Sequence, residues 1–262
     1  MGTPSLHYHA TGPVARLTID NPARRNAMTL DMWAALPDLV RRAEADPEVR
    51  VILLRGAGEA AFCAGADITQ FSDKRSGEAE GRSYDAAVQA AQAALFAAGK
   101  PTVAYVRGAC FGGGVGIALS CDLRIAASDA RFRIPAARLG LGYAFSNVEL
   151  VAGRIGVSAA ADLLFTARTV DAEEARRLGI VGQVLDAGQA DAAVEELAAA
   201  IGGNAPLTLR AVKRALVELA RPAAEREVGA VDALVRACLG SDDYREGQAA
   251  FKEKREPRFR GT

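Results

Sequence analysis

The chain has few of the residues that most often carry acid–base and metal chemistry: two histidines, four cysteines and one tryptophan in 262 residues. Both histidines, His7 and His9, lie close to the N-terminus, and no G-x-S-x-G elbow occurs, so neither a Ser–His nor a Cys–His relay can be assembled. Cys63, Cys110, Cys121 and Cys238 form no C-x-x-C pair, and no metal site is expected. Most of these cysteines sit in apolar stretches, the pattern of reduced, buried thiols in a cytoplasmic protein. Net charge is also missing, since 32 Lys and Arg balance 32 Asp and Glu. No basic field therefore points to nucleic acid or an acidic membrane as partner. The longest apolar run, Gly108 to Cys121, is too short and glycine-rich to span a bilayer. The segment MGTPSLHYHA has no basic region followed by an apolar run, so no secretory signal is expected. What remains is a small-molecule ligand.

Half of the residues are hydrophobic, ample for a sizeable core. Val14 to Asp20 alternates apolar and polar and ends at Asn21-Pro22, the mark of a strand and turn. A helical pattern follows at Leu30, Trp33, Ala34, Val40 and Ala43, with Pro37 expected to kink it. Val51 to Leu54 is a fully apolar strand of the kind covered on both faces in a parallel sheet. Tyr84 to Ala98 reads as a helix, Thr102 to Val106, Leu123 to Ala127 and Phe132 to Ile134 as strands. The strand–helix alternation has crossovers long enough for right-handed parallel connections. After Pro135 the pattern is mostly helical, including one helix over Ala223 to Leu239 and an amphipathic one over Asp242 to Arg255. The expected organisation is an α/β core over 1–200 and a helical region over 201–262.

The stretch TVAYVRGACFGGGVGIALSCD, Thr102 to Asp122, organises the chain. A β-branched strand runs into Gly112, Gly113 and Gly114 where a helix begins, which leaves backbone N–H groups uncovered for an anion or a developing oxyanion. Gly108, Gly112 and Gly114 also fit a dinucleotide-type G-x-x-x-G-x-G, but the pattern lies mid-chain and no Tyr-x-x-x-Lys pair accompanies it. A second glycine turn, Ala64-Gly65-Ala66-Asp67, also follows a strand. Two N–H groups converging from two turns make an oxyanion hole.

NPARRNAM (Asn21 to Met28), AFCAGADI (Ala61 to Ile68), VRGACFGGGVGIALSCDLRIA (Val106 to Ala126), PAARLGL (Pro135 to Leu141), the segment Phe165 to Val181 and EGQAAFKEKREPRF (Glu246 to Phe259) occur in this order over nearly the whole chain. Together they resemble the crotonase family, the enoyl-CoA hydratase/isomerase superfamily. The resemblance implies a spiral of ββα units with a helical C-terminal trimerisation region, assembled as a homotrimer or a dimer of trimers. It implies an acyl-CoA substrate, with coenzyme A as part of that substrate and no separate cofactor. The family's oxyanion hole falls on the N–H groups of Ala66 and Gly113. Its coenzyme A path falls on Arg24, Arg25, Ala27, Ala64, Ala66 and Ile68, with Phe251 and Lys254 at the nucleotide end, often from a neighbouring subunit.

The sequence departs from the family where hydration needs an acid and a base. The two glutamates of the efficient hydratases correspond to Gly116 and Ala136, and a later isomerase aspartate corresponds to Ala144. Each such group is worth ~10²–10⁴ in rate, so the pattern is not that of an efficient two-glutamate hydratase. Tyr143 matches a tyrosine in the methylmalonyl-CoA decarboxylase branch and is the leading polar side chain of its loop. Ser146, Asn147 and Glu149 are secondary. Asp67 and Asp122 are expected to satisfy backbone N–H groups. The expectation is a lyase or isomerase working through a thioester enolate, with decarboxylase-like chemistry at Tyr143 or a non-catalytic acyl-CoA binder as alternatives.

Overall fold

The computed structural model describes residues 3–67 and 78–262. It is built from pairs of strands, each pair split between two sheets and followed by helix. Strands β3 (Val51–Gly56) and β4 (Ala61–Cys63) precede helix α2 (Glu78–Ala97). Strands β5 (Thr102–Val106) and β6 (Ala109–Phe111) precede α3 (Gly113–Ser120), and β7 (Leu123–Ala127) and β8 (Arg131–Arg133) lead to α4 (Phe145–Ile155). In each pair the first strand joins the larger sheet and the second joins the smaller. This is the ββα spiral that the resemblance implied.

The larger sheet begins with an antiparallel hairpin of β1 (Ser5–Thr11) and β2 (Val14–Asp20), then continues in parallel through β3, β5, β7 and β10 (Gln183–Leu185). The smaller runs β4, β6 and β8 in parallel and closes with antiparallel β9 (Val170–Asp171). The segment that holds His7 and His9 is therefore an ordered hairpin strand. His7 Nε2 lies 2.7 Å from Asp20 Oδ2 on the paired strand. Pairing with β2 supplies the order that the local sequence alone does not signal.

Side-chain alternation explains why β3 is apolar throughout. Ile52 and Leu54 enter the main core with Ala104, Val106, Trp33 and Leu36. Val51 and Leu53 face the other way, into a second core with Val103, Tyr105 and Ile125. That second layer is covered by Ala190, Val194 and Ala198 of helix α7 (Ala190–Gly202). Both faces are buried, as expected for a central parallel strand.

Helix α1 (Leu30–Ala45) passes through Pro37 as one element. Thr29 caps it by accepting the Met32 N–H, and Met32, Trp33, Leu36, Val40 and Ala43 are buried. Burial of that stripe outweighs the local cost of the proline. Ala34, placed on the apolar stripe by sequence, is exposed, and Leu36 takes the inward position.

Helices α5 (Val157–Thr166) and α6 (Ala172–Arg177) connect the smaller sheet to β10. Helices α8 (Pro206–Leu219), α9 (Val228–Leu239) and α10 (Asp242–Glu253) follow α7. The single helix expected over Ala223 to Leu239 is instead a short 3-10 turn, Ala223–Glu225, and α9. At the break, Glu218 accepts the Glu227 N–H and ion-pairs with Arg214 and Arg221. An ion pair between buried Lys213 and half-buried Asp122 fastens α8 to the sheet: Lys213 Nζ lies 2.7 and 2.8 Å from the Asp122 carboxylate oxygens. Asp122 Oδ2 also accepts the Thr102 N–H and hydroxyl, so the aspartate serves structure, as expected. Among the described residues no helix is long and apolar enough to cross a membrane.

Removing one partner of such a pair strands the other charge. Lys213→Ala is expected to lower unfolding free energy by about 3 kcal/mol in urea titration. Cys63, Cys110 and Cys121 are buried and Cys238 is half-buried. An aromatic disulfide reagent is expected to titrate Cys238 alone in the native protein and all four thiols after unfolding.

Candidate active site

Because β4, β6 and β8 are neighbouring parallel strands, their C-terminal ends lie side by side. The segments leaving those ends are Ala64-Gly65-Ala66, Gly112-Gly113 and Ile134-Pro135-Ala136, and all three line one cavity of about 120 Å³. This is the usual place for a ligand in a parallel sheet, outside the carboxyl ends of the strands.

The first two segments are held closely together. Gly112 has φ +51° and ψ −115°, a conformation that glycine tolerates and β-carbon-bearing residues rarely adopt. A Cβ on Gly114 would lie 2.3 Å from the Cys63 carbonyl oxygen, so only glycine lets α3 start against the end of β4. The Ala66 nitrogen lies 3.8 Å from the position of a Cβ on Gly113, and the Gly113 nitrogen 3.4 Å from that of a Cβ on Gly65. Neither N–H finds a backbone acceptor among the described residues. Gly113 is the first residue of α3, where the aligned peptide dipoles put positive potential. Two uncovered donors thus meet at the cavity wall.

A third loop braces them. Asn26 donates to the carbonyls of Ala57 and Ala61, while its Oδ1 accepts the Asn21 N–H. Ala64 N–H donates to Arg25 O, Met28 N–H to Gly65 O and Asp67 N–H to Met28 O. Residues 25–28 therefore run along residues 64–67 like a short added strand. This brings Arg25 and Ala27 beside Ala64 and Ala66, with Arg24 and Arg25 exposed and Ala27 buried. Ile68, also expected on the coenzyme A path, lies outside the described residues.

Phe251 and Lys254 do not line this cavity. Phe251 is 86% exposed and borders a separate groove between α8 and α10. Lys254 caps the C-terminus of α10 in a left-handed conformation.

The cavity is mostly apolar, with Trp33, Val88, Leu139 and Leu141 among its walls. Trp33 Nε1 donates to the Tyr84 hydroxyl at 2.9 Å, and that hydroxyl donates to Met28 O at 3.4 Å. The Tyr143 ring packs against the core, and burial pushes its hydroxyl up to about 12. It is neutral at physiological pH and can donate a hydrogen bond without carrying charge. Cys63 lies beneath the turn with its thiol also pushed up to about 12 by burial, which makes it a packing residue and not a nucleophile.

Of the secondary residues, Asn147 lines the cavity. Ser146 accepts a hydrogen bond from the Gln89 amide, and Glu149 is exposed on α4. Of the two positions expected to lack a carboxylate, Ala136 is in the lining, while Gly116 is buried in α3 beside the Gln92 amide. Sequence reading missed two polar residues on α2, Asp85 and Gln92, which line the same cavity. Their signal is helical spacing with Tyr84 and Val88 in a segment otherwise rich in alanine.

Comparisons with known proteins identify the family. The family model described as enoyl-CoA hydratase/isomerase matches residues 9–262. A short-chain-enoyl-CoA hydratase of Clostridium acetobutylicum is 33% identical over 244 residues, 93% of each chain. A peroxisomal Delta(3,5)-Delta(2,4)-dienoyl-CoA isomerase of Arabidopsis thaliana is 33% identical over 265 residues, 97% of this chain and 95% of that protein. The crystal structure of an enoyl-CoA hydratase/carnithine racemase from Magnetospirillum magneticum superposes with a TM-score of 0.93 at 32% identity, covering 100% of this chain and 97% of that one. The fold and site define a crotonase-type protein. The chain belongs to the enoyl-CoA hydratase/isomerase family.

A Cβ on Gly113 would lie 2.9 Å from the Trp33 indole. Gly113→Ala is therefore expected to displace its N–H donor and reduce turnover of an acyl-CoA substrate about 10²–10³-fold, read by steady-state kinetics with circular dichroism as the folding control.

Proposed function

We propose that this chain is an acyl-CoA lyase or isomerase that holds the thioester carbonyl between the N–H groups of Ala66 and Gly113 and stabilises it as an enolate. The observation that carries this reading is the meeting of two donors without backbone acceptors at the wall of an apolar cavity. As negative charge grows on the thioester oxygen, both donors and the α3 dipole interact with it more strongly than with the neutral carbonyl, which lowers the barrier. Membership of the family and the named activities of its relatives support the substrate class.

Coenzyme A enters as part of the substrate, its pantetheine along Ala27, Ala64 and Ala66 with Arg24 and Arg25 at the rim. Phe251 and Lys254 reach a nucleotide from a neighbouring subunit of a homotrimer or a dimer of trimers. Val157, Phe165, Leu219 and Leu239 are large exposed apolar side chains available for that assembly. Light scattering that finds only monomer at micromolar concentration would remove the assembly and these two residues from the reading.

Hydration of crotonyl-CoA by the wild-type protein is expected to be slow, because neither Gly116 nor Ala136 offers a carboxylate. Restoring both acids also requires room: a Cβ on Gly116 would lie 2.4 Å from Gln92 Nε2. The triple variant Gln92→Ala, Gly116→Glu, Ala136→Glu is expected to raise hydration at least tenfold, within the ~10²–10⁴ that a positioned acid or base contributes. Wild-type hydration as fast as that of a two-glutamate enzyme would overturn this account.

Decarboxylation is the second reading, favoured by the Tyr143 hydroxyl. It is held neutral in the cavity and is suited to donating to a carboxylate or protonating the enolate left by carbon dioxide. On that reading Tyr143→Phe lowers kcat for a malonyl-type thioester about tenfold or more with little change in KM.

A further inference from the structure

The groups that line the cavity come partly from an unexpected element. Tyr84, Asp85, Val88 and Gln92 are the α2 residues in the wall, and side chains separated by about one and two turns share a helix face. Tyr84 is engaged by Trp33 and Met28, and Val88 is apolar. The other two polar groups on this face are the Asp85 carboxylate and the Gln92 carboxamide. Asp85 is the only Asp, Glu, His, Lys or Arg among the described residues lining the cavity. Gln92 is 8% exposed, and its amide occupies the space beside Gly116. Among the described residues it has no hydrogen-bond partner. The amide is not among the fully buried polar atoms and is open to the cavity, so covering it with a ligand that offers it no partner is costly.

We propose that α2 supplies the polar chemistry absent from positions 116 and 136: Asp85 is the general base for the C2 proton, and Gln92 binds an oxygen substituent on the acyl chain. The proposal rests on the enolate reading above. In the step, the C2–H bond of the acyl thioester breaks and its proton passes to an Asp85 carboxylate oxygen. The electron pair forms the C1–C2 double bond, and the charge moves to the thioester oxygen facing Ala66 and Gly113. Return of the proton to carbon restores the carboxylate, so no oxidant or further reactant is needed. A hydroxyl or carboxyl oxygen on the acyl chain gives the Gln92 amide the partner it lacks. A plain hydrocarbon chain leaves the amide buried and unbonded. The substrate class is therefore an oxygen-substituted acyl-CoA.

Two esters test both halves. Butyryl-CoA and 3-hydroxybutyryl-CoA are bound to the full-length protein by calorimetry, and C2 proton exchange in D2O is followed by NMR. Wild type is expected to bind the hydroxy ester about tenfold more tightly, as one net hydrogen bond allows, and to exchange its C2 proton. Asp85→Asn should bind both esters within threefold of wild type and exchange at least 100-fold more slowly, with partial recovery in Asp85→Glu. Gln92→Leu should abolish the preference for the hydroxy ester by weakening that ester alone. Exchange that persists in Asp85→Asn, or is absent from wild type with ester bound, overturns the role of Asp85. A wild type without the preference, or a Gln92→Leu variant that weakens both esters equally, overturns that of Gln92. Failure of either ester to bind wild type at all instead overturns the acyl-CoA reading on which the proposal stands.

Discussion

The whole site depends on one close approach, that of the start of α3 to the end of β4. The smaller sheet sets β4, β6 and β8 side by side and in parallel, so the chain must leave each strand at the same edge. Two consecutive turns at that edge can present N–H groups to one point only if no side chain stands between them. Gly114 against the Cys63 carbonyl and Gly113 against the Trp33 indole meet that condition with almost no space to spare. The two uncovered N–H donors are consequently a property of backbone spacing. Stiffness comes from elsewhere: Asn26 clamps one turn through the carbonyls of Ala57 and Ala61, and the Tyr84–Trp33 pair backs the other.

Such a division separates two functions that are often merged. On the proposed reading the donors recognise a charge that develops on any thioester, and they place no requirement on the acyl chain. The rest of the cavity wall is a different set of groups, contributed by α2, by the loop before α4 and by the start of α4 itself. Tyr143 and Asn147 come from that loop and helix, and Asp85 and Gln92 from α2. Chemistry can therefore change by replacing side chains on those elements while the donors stay fixed. The variety of names among the relatives, hydratase and isomerase at the same 33% identity, is what such an arrangement permits.

Much of this was legible in the sequence, for reasons that differ by element. The strands β2 and β7 carry clear patterns and were read at their observed limits. Val51 to Leu54 announced burial on both faces because a central parallel strand has no polar side. The glycine turns were readable because backbone geometry restricts the residues allowed there. Less legible were features decided by tertiary contact. The hairpin strand holding His7 and His9 is ordered by its partner β2. Helix α1 survives Pro37 through its buried stripe, and the break before α9 is fixed by the Glu218 carboxylate. Asp85 and Gln92 were hard to read for a related reason: their spacing with Tyr84 and Val88 marks a shared helix face, but nothing local to α2 tells that this face meets a cavity formed by three other loops.

The same spatial reasoning changes the meaning of the missing carboxylate at position 116. From sequence alone, glycine there reads as a loss, an acid removed and nothing supplied. In three dimensions the position is already filled, since the Gln92 amide lies 2.4 Å from where a Cβ would be. A side chain at 116 and an undisturbed Gln92 cannot occupy that space together, so the two residues form one choice. An ionised carboxylate there would be buried beside apolar walls and would need a partner, whereas an amide in the same space is neutral at every pH and both donates and accepts. Glycine at position 116 therefore leaves room for the polar group that α2, crossing over it, brings.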